Sequence, residues 1–399
     1  VGSVGREGRK RILIFAIPND GHLNIIKSLV RVYRDAYQFQ FVLVDRNKTA
    51  PDLADLEASV VVPQALGTFI NTPAGRVFAR VHDLLEDCLA AARAFRPDLI
   101  IYDFCAVEGH FVGRMLGIRT WCSIPGLIGP LVDRVYLDQC LSTTANRDAL
   151  AAIERRYGVS VRPEQVELIS NSLHLPAELN LVWSYPSVTP ANFLDNRQPA
   201  RYQFAGYLSD GHPGRCDRSG TPVVYLSFGT EVMDNLWHAE EQTRDGVRRC
   251  VAGLAQRWAS PEIKVVFSTL DRRVLAAYPA NWRVHRKVNQ QEVLSRADVF
   301  VSHGGGNSLH EAVLCQVPMV VVPFFGDQML ISRRVEELGI GIALGTAEGV
   351  DKDKPKHFLN DRLADLIDRA VRQILADDRY RRSYSRTPLE STPPLAEFG

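Results

Sequence analysis

Two groups of residues have types and spacings suited to chemistry. The first is His303-Gly304-Gly305-Gly306-Asn307-Ser308, which follows an apolar stretch at 299–302 and leads into a helical pattern. Consecutive glycines let the backbone approach a ligand closely, and a helix start offers unpaired N–H groups at the positive end of its dipole. Together they suit a pyrophosphate, with His303, Asn307 and Ser308 as further donors. A plainer reading also fits: Ser308 and Glu311 have the Ser-x-x-Glu spacing of a capping box, with the glycines merely turning the chain. The two readings are compatible. The second group centres on His22, in Pro18-Asn19-Asp20-Gly21-His22-Leu23-Asn24, directly after the apolar stretch 11–17. Histidine titrates near neutrality and suits a general base toward an attacking hydroxyl. A single histidine at a helix start is nonetheless by default a surface or capping residue.

Such a base needs a carboxylate that orients it and stabilises the imidazolium. Asp103 stands at the end of the apolar run 99–102. Asp98 follows Pro97 at the start of that run, on the opposite edge of a sheet and about 16 Å away at the usual strand rise. It reads as a turn residue. Asp20, close to His22 in sequence, ranks third. Another apolar run, 223–228, ends in Ser227-Phe228-Gly229-Thr230, and ligands in parallel α/β folds bind beyond the carboxyl ends of strands. Gly229 and Thr230 are therefore candidate ligand contacts. The one Asp-x-Asp element, Asp351-Lys352-Asp353, sits in a lysine-alternating run and reads as a solvated loop, and the basic run 378–386 as a solvated helix end.

The stretch 299–328 resembles the donor-binding signature of the UDP-glycosyltransferase family, particularly its bacterial antibiotic and macrolide branch. The matching residues are His303, Gly304, Gly305, Asn307, Ser308, Glu311, Val317-Pro318 and Asp327-Gln328, without a gap. Gln316 departs from the glycine usual before Val-Pro, and Gly306 stands where plant members carry tryptophan. Upstream, Lys287-Val288-Asn289-Gln290 with Leu294 matches a second element of the family at Gln290 and Leu294. Lys287 replaces its stacking aromatic and Asn289 its proline. Gly21, His22 and Asn24 match the family's Gly-His-x-Asn element, with Ile25 in place of the next proline.

The resemblance implies an α/β GT-B fold, two Rossmann-like doubly wound domains facing across a cleft. It implies an inverting, metal-independent transfer from a UDP- or dTDP-sugar to a hydroxyl of an apolar natural product, with no cofactor. His22 would be the base and Asp103 its partner. His303, Gly304, Gly305, Asn307, Ser308, Gly229 and Thr230 would contact the diphosphate; Val288, Gln290 and Glu311 the nucleoside; Asp327 and Gln328 the sugar. Acceptor walls are expected from Phe69, Phe78, Trp121, Ile124 and Leu127. Two rivals are a hydrolysing sugar-nucleotide epimerase of the same architecture and a catalytically silent nucleotide-sugar-binding helper.

Positioning these residues requires alternating strands and helices. Apolar runs at 11–17, 39–44, 60–62, 98–102 and 120–124 alternate with helical patterns at 23–33, 77–95 and 108–116, which indicates a parallel sheet covered on both faces. The pattern restarts at 223–228 and runs through 263–268, 299–302 and 319–323 to a closing helix at 359–375. The expected organisation is a disordered leader at 1–11, an acceptor domain at 12–205, a linker at 206–222 and a donor domain at 223–376. A helix end and tail close the chain at 377–399, the tail loose from 387 on. A length of 399 residues, 46% hydrophobic, allows two cores. A net charge of +1 gives no global attraction to nucleic acid or anionic membrane, and no apolar run is long enough for a membrane span. Seven scattered cysteines without a C-x-x-C pair favour a reduced, cytoplasmic setting. A monomer or homodimer is expected.

Overall fold

The computed structural model describes residues 8–44, 53, 56, 58–63, 77–126, 134–169, 172–194, 201–208, 220–324, 327–344, 362–395 and 398. Contacts divide the chain into two compact units. One comprises Val1–Pro186, Pro190–Asp210 and Ser391–Gly399, the other Ser187–Thr189 and Gly211–Glu390.

The first unit is built on β1 (Arg11–Ala16), β2 (Gln38–Leu43), β3 (Ser59–Val61), β4 (Leu99–Asp103) and β5 (Thr120–Ile124). A small antiparallel pair follows, β6 (Glu167–Ile169) and β7 (Ser172–His174), then β8 (Leu179–Val182) and β9 (Tyr202–Phe204). Seven strands form one sheet in the order β3-β2-β1-β4-β5-β8-β9, every pairing parallel. β4 and β5 are buried along their whole length, as strands covered on both faces must be. Helix α1 (Asp20–Tyr33) sinks Leu23, Ile26, Leu29 and Val30, spaced for one helical face. Helices α2 (Val77–Phe95) and α3 (Glu108–Leu116) cover the other side of the sheet, where Phe78, Val81, Leu85 and Phe111 join one core with Leu13, Phe15 and Tyr102.

The second unit repeats the plan with β10 (Val223–Ser227), β11 (Lys264–Ser268), β12 (Trp282–His285), β13 (Val299–Ser302), β14 (Met319–Val321) and β15 (Gly341–Ala343). Its sheet runs β12-β11-β10-β13-β14-β15, again all parallel. In each unit the strand order reverses beside the first strand, between β1 and β4 and between β10 and β13. That reversal is where open parallel sheets bind ligands. The repeat extends to detail at the far end of the sheet. Asp98 accepts from Arg11 N at 2.7 Å and Asp298 from Val223 N at 2.9 Å, each carboxylate tying down the start of the first strand.

The C-terminal helix end forms as expected, but it and the tail beyond 387 are packed rather than loose. Tyr380 and Tyr384 are buried, and the Tyr384 hydroxyl donates to Val317 O at 2.6 Å. The basic run is thus anchored by its tyrosines while its arginines stay near the surface. Beyond it, Thr392 N donates to Phe204 O at 2.9 Å, and Phe398 packs edge-on against Trp121 in the first unit. Apolar side chains spaced between the arginines and prolines supply this anchoring. Among the described residues no helix is long and apolar enough to cross a membrane.

Candidate active site

In the first unit β1 and β4 are hydrogen-bonded neighbours, so the turns that leave their carboxyl ends meet. His22 lies in the first turn of α1, just after β1, and Asp103 is the last residue of β4. His22 Nδ1 is 2.8 Å from Asp103 Oδ2, the imidazole 22% exposed and the carboxylate 1%. The other carboxylate oxygen, Oδ1, accepts from Cys105 N at 2.8 Å. Asp103 is therefore oriented from two directions. The imidazole stacks on Phe104, centroids 5.4 Å apart. A carboxylate on Nδ1 fixes the tautomer with its proton there and leaves Nε2 as the acceptor. Asp98 is held at the opposite end of β4 by Arg11 and takes no part.

The turn that carries Asp103 is itself clamped. Arg80 Nε donates to Glu108 Oε1 at 2.7 Å and Nη2 to Glu108 Oε2 at 3.2 Å, both side chains buried, and Nη2 also donates to Cys105 O at 2.6 Å. Nothing in sequence spacing announced this pair. A charged residue on the apolar face of α2 was the only available hint.

In the second unit the turns after β10 and β13 meet in the same manner. The helix Gly306–Cys315 begins at the glycines, with Gly305 as its N-cap and no side chain capping it. The capping-box reading therefore fails: Ser308 lies inside the first turn, and Glu311 accepts from Gln290 instead. Gln290 Nε2 also donates to Ser308 Oγ at 3.2 Å, and Tyr225 OH donates to Gln290 Oε1 at 3.0 Å. Gln290, Ser308 and Glu311, widely spaced in sequence, thus form one polar cluster. Tyr225, missed by sequence reasoning, organises it from β10 while stacked on Phe300. Val288 is half-buried beside Asn289, whose side chain caps the short helix Gln290–Leu294.

His303 sits between two glycines. A Cβ on Gly229 would overlap its ring, and one on Gly305 would come within 2.6 Å of Nε2. Gly229 also has φ +77°, and Gly304 φ +85°. Burial pulls the His303 pKa down to about 4, and its Nδ1 is buried with no hydrogen-bond partner. The ring is therefore neutral, with the proton on Nε2 the less costly tautomer. Thr230 is exposed in the turn after β10. Asp327 is half-buried at the start of the helix Gln328–Glu337, and Gln328 is buried with its Oε1 accepting from Phe324 N at 2.8 Å.

The acceptor walls need correction. Phe78, Trp121 and Ile124 have no solvent exposure. Phe78 and Ile124 belong to the core between sheet and helices, and Trp121 is covered by Phe398. Aromatic and β-branched residues on central elements fill the interior first, so none of the three presents a wall. Phe69 and Leu127 lie outside the described residues.

This architecture is that of the GT-B glycosyltransferases: the solved glycotransferase of kitacinnamycin superposes with a TM-score of 0.70 at 22% identity, over 95% of this chain and 94% of that one. The model of the erythromycin biosynthesis protein CIII-like C-terminal domain matches residues 256–391. The NDP-glycosyltransferase YjiC of Bacillus licheniformis is 27% identical over 364 residues, 84% of this chain and 85% of its own. The uncharacterized UDP-glucosyltransferase YojK of Bacillus subtilis is 37% identical over 295 residues, 70% of this chain and 64% of its own. The chain is similar to nucleotide-sugar-dependent glycosyltransferases over most of its length.

Proposed function

We propose that this glycosyltransferase moves a sugar from a UDP- or dTDP-sugar to a hydroxyl of an apolar natural product, with inversion and without a metal. The observation that carries the reading is the 2.8 Å pair of His22 and Asp103 at the strand-order reversal of the first unit. His22 Nε2 takes the acceptor hydroxyl's proton as its oxygen attacks the anomeric carbon. Asp103 stabilises the imidazolium, and the nucleoside diphosphate leaves from the opposite face of the sugar. The N–H groups opening the helix Gly306–Cys315 and a neutral His303 stabilise the leaving diphosphate. Glu311 and Gln290 hold the nucleoside, and Asp327 and Gln328 bind the sugar hydroxyls. The match to an erythromycin-biosynthesis family model supports a natural-product acceptor, and the scattered cysteines fit a reducing, cytoplasmic setting.

The test pairs a thermal-shift panel of nucleotide sugars with transfer assays. Donors that bind the native state raise its stability. His22→Ala should keep the donor-induced shift while transfer falls by roughly 10²–10⁴-fold. Unchanged transfer would sink the proposed base. Turnover of the donor without acceptor would favour the epimerase, and donor binding without any turnover the silent helper.

A further inference from the structure

Beside the His22–Asp103 pair lies a thiol for which the transfer reaction has no use. The ligand atoms of His22, Asp103 and Cys105 all lie within 4.8 Å of one another, and among the described residues this is the one such group of three. The thiol is built into the turn. Cys105 N donates to Asp103 Oδ1 at 2.8 Å, and Cys105 O accepts from Arg80 Nη2 at 2.6 Å, so backbone and a buried ion pair fix thiol and carboxylate together. His22 presents Nδ1 to the same carboxylate. One imidazole nitrogen, one carboxylate oxygen and one thiolate form a donor set that suits a borderline or soft divalent cation and leaves a fourth position for water.

We propose that His22, Asp103 and Cys105 form an inhibitory site for a thiophilic divalent cation of the Zn²⁺ type. Bonds of about 2.0–2.3 Å place the ligand atoms of a tetrahedral site roughly 3.3–3.8 Å apart, so on binding the widest separation closes by up to about 1 Å while the 2.8 Å His22–Asp103 pair opens by about 0.5 Å. The cation takes the place of the hydrogen between His22 Nδ1 and Asp103 Oδ2, and that proton moves through solvent to Nε2. The Cys105 thiol gives its proton to solvent, so one proton is released per cation bound. Asp103 Oδ1 keeps its bond from Cys105 N. With Nε2 now an N–H donor, no lone pair remains for the acceptor's proton, and transfer stops while the donor site is untouched. The inhibition rests on His22 being the base; the binding does not.

The test uses the full, reduced chain, titrated with Zn²⁺ against a chromogenic chelator and with Co²⁺ by absorption. Wild type should bind one equivalent and show a thiolate-to-cobalt charge-transfer band. Cys105→Ser should lose that band and weaken Zn²⁺ binding by about tenfold or more, with its donor-induced thermal shift intact as the sign of folding. Zn²⁺ should suppress wild-type transfer, reversibly by chelator, and Cys105→Ser should need about tenfold more for the same fractional loss. A Co²⁺ spectrum without the thiolate band, or equal Zn²⁺ affinity in both proteins, would overturn the site. Tight binding with the band in a protein that never transfers sugar would uphold the site and overturn the role of His22 instead.

Discussion

His22 and Asp103 are 81 residues apart in the chain and 2.8 Å apart in space because β1 and β4 are adjacent parallel strands whose carboxyl ends share one edge of the sheet. The same neighbour relation, β10 beside β13, brings Gly229 against His303 in the second unit. One topological rule thus brings His22 to Asp103 in one unit and Gly229 to His303 in the other.

Asp103→Asn tests the pair without changing its shape. The amide cannot stabilise an imidazolium and can present its NH₂ to Nδ1, which moves the ring proton to Nε2. Transfer should fall by roughly 10²–10⁴-fold, with the donor-induced thermal shift retained. Steady-state transfer rates with saturating donor are the measurement, and a loss under about tenfold would remove Asp103 from the mechanism.

Gly229→Ala should remove the donor site. Its Cβ would overlap the imidazole of His303, and φ +77° strains any L side chain. The expected cost is about 1–3 kcal/mol of stability by denaturant unfolding, together with loss of the donor-induced thermal shift. Adding His303→Ala should recover part of the stability, since the overlap is relieved, and none of the donor binding. Recovery of both would mean that His303 does not contact the donor.

Stability should fall in mild acid. Burial lowers the pKa of His110 to about 3 and of His303 and His310 to about 4, against 6.5 for the free side chain. The unfolded chain therefore binds protons that the folded chain refuses. The stabilisation is complete above pH 6.5 and is lost as pH falls toward 4. At pH 5 each histidine costs about 2 kcal/mol relative to pH 7. Urea unfolding at the two pH values checks this. His303→Asn should flatten the dependence by about one third, and an unchanged slope would show that His303 is not buried neutral.

Gln316 should be improved by glycine. It ends the helix Gly306–Cys315 in the left-handed region, φ 53° and ψ 44°, at the position before Val317-Pro318 where the resembled signature usually carries glycine. Gln316→Gly should raise stability by about 0.5–1 kcal/mol in denaturant unfolding, with transfer unchanged. A loss of stability would show that the glutamine side chain supplies more than the strain removes.

Local signals carried much of this protein. Period and run length fixed helices such as Val77–Phe95 and Glu108–Leu116, because amphipathic spacing depends on the residues of one segment alone. The glycine turn at 303–306 and the histidine after β1 were legible for the same reason, since a close approach needs glycine and a base near neutrality needs histidine. Even Asp103 could be preferred over Asp98, from the direction of one strand. What tertiary structure decided were relations between segments. Strand order set which turns meet, and so joined Gln290 to Ser308 and Glu311 and displaced the capping box. Packing set which apolar side chains are interior, so that Phe78, Trp121 and Ile124 left the acceptor wall for the core. It also placed a thiol beside His22 and Asp103 and a buried arginine–glutamate pair against the turn that carries that thiol. These depend on distances between residues far apart in the chain, which no local pattern encodes.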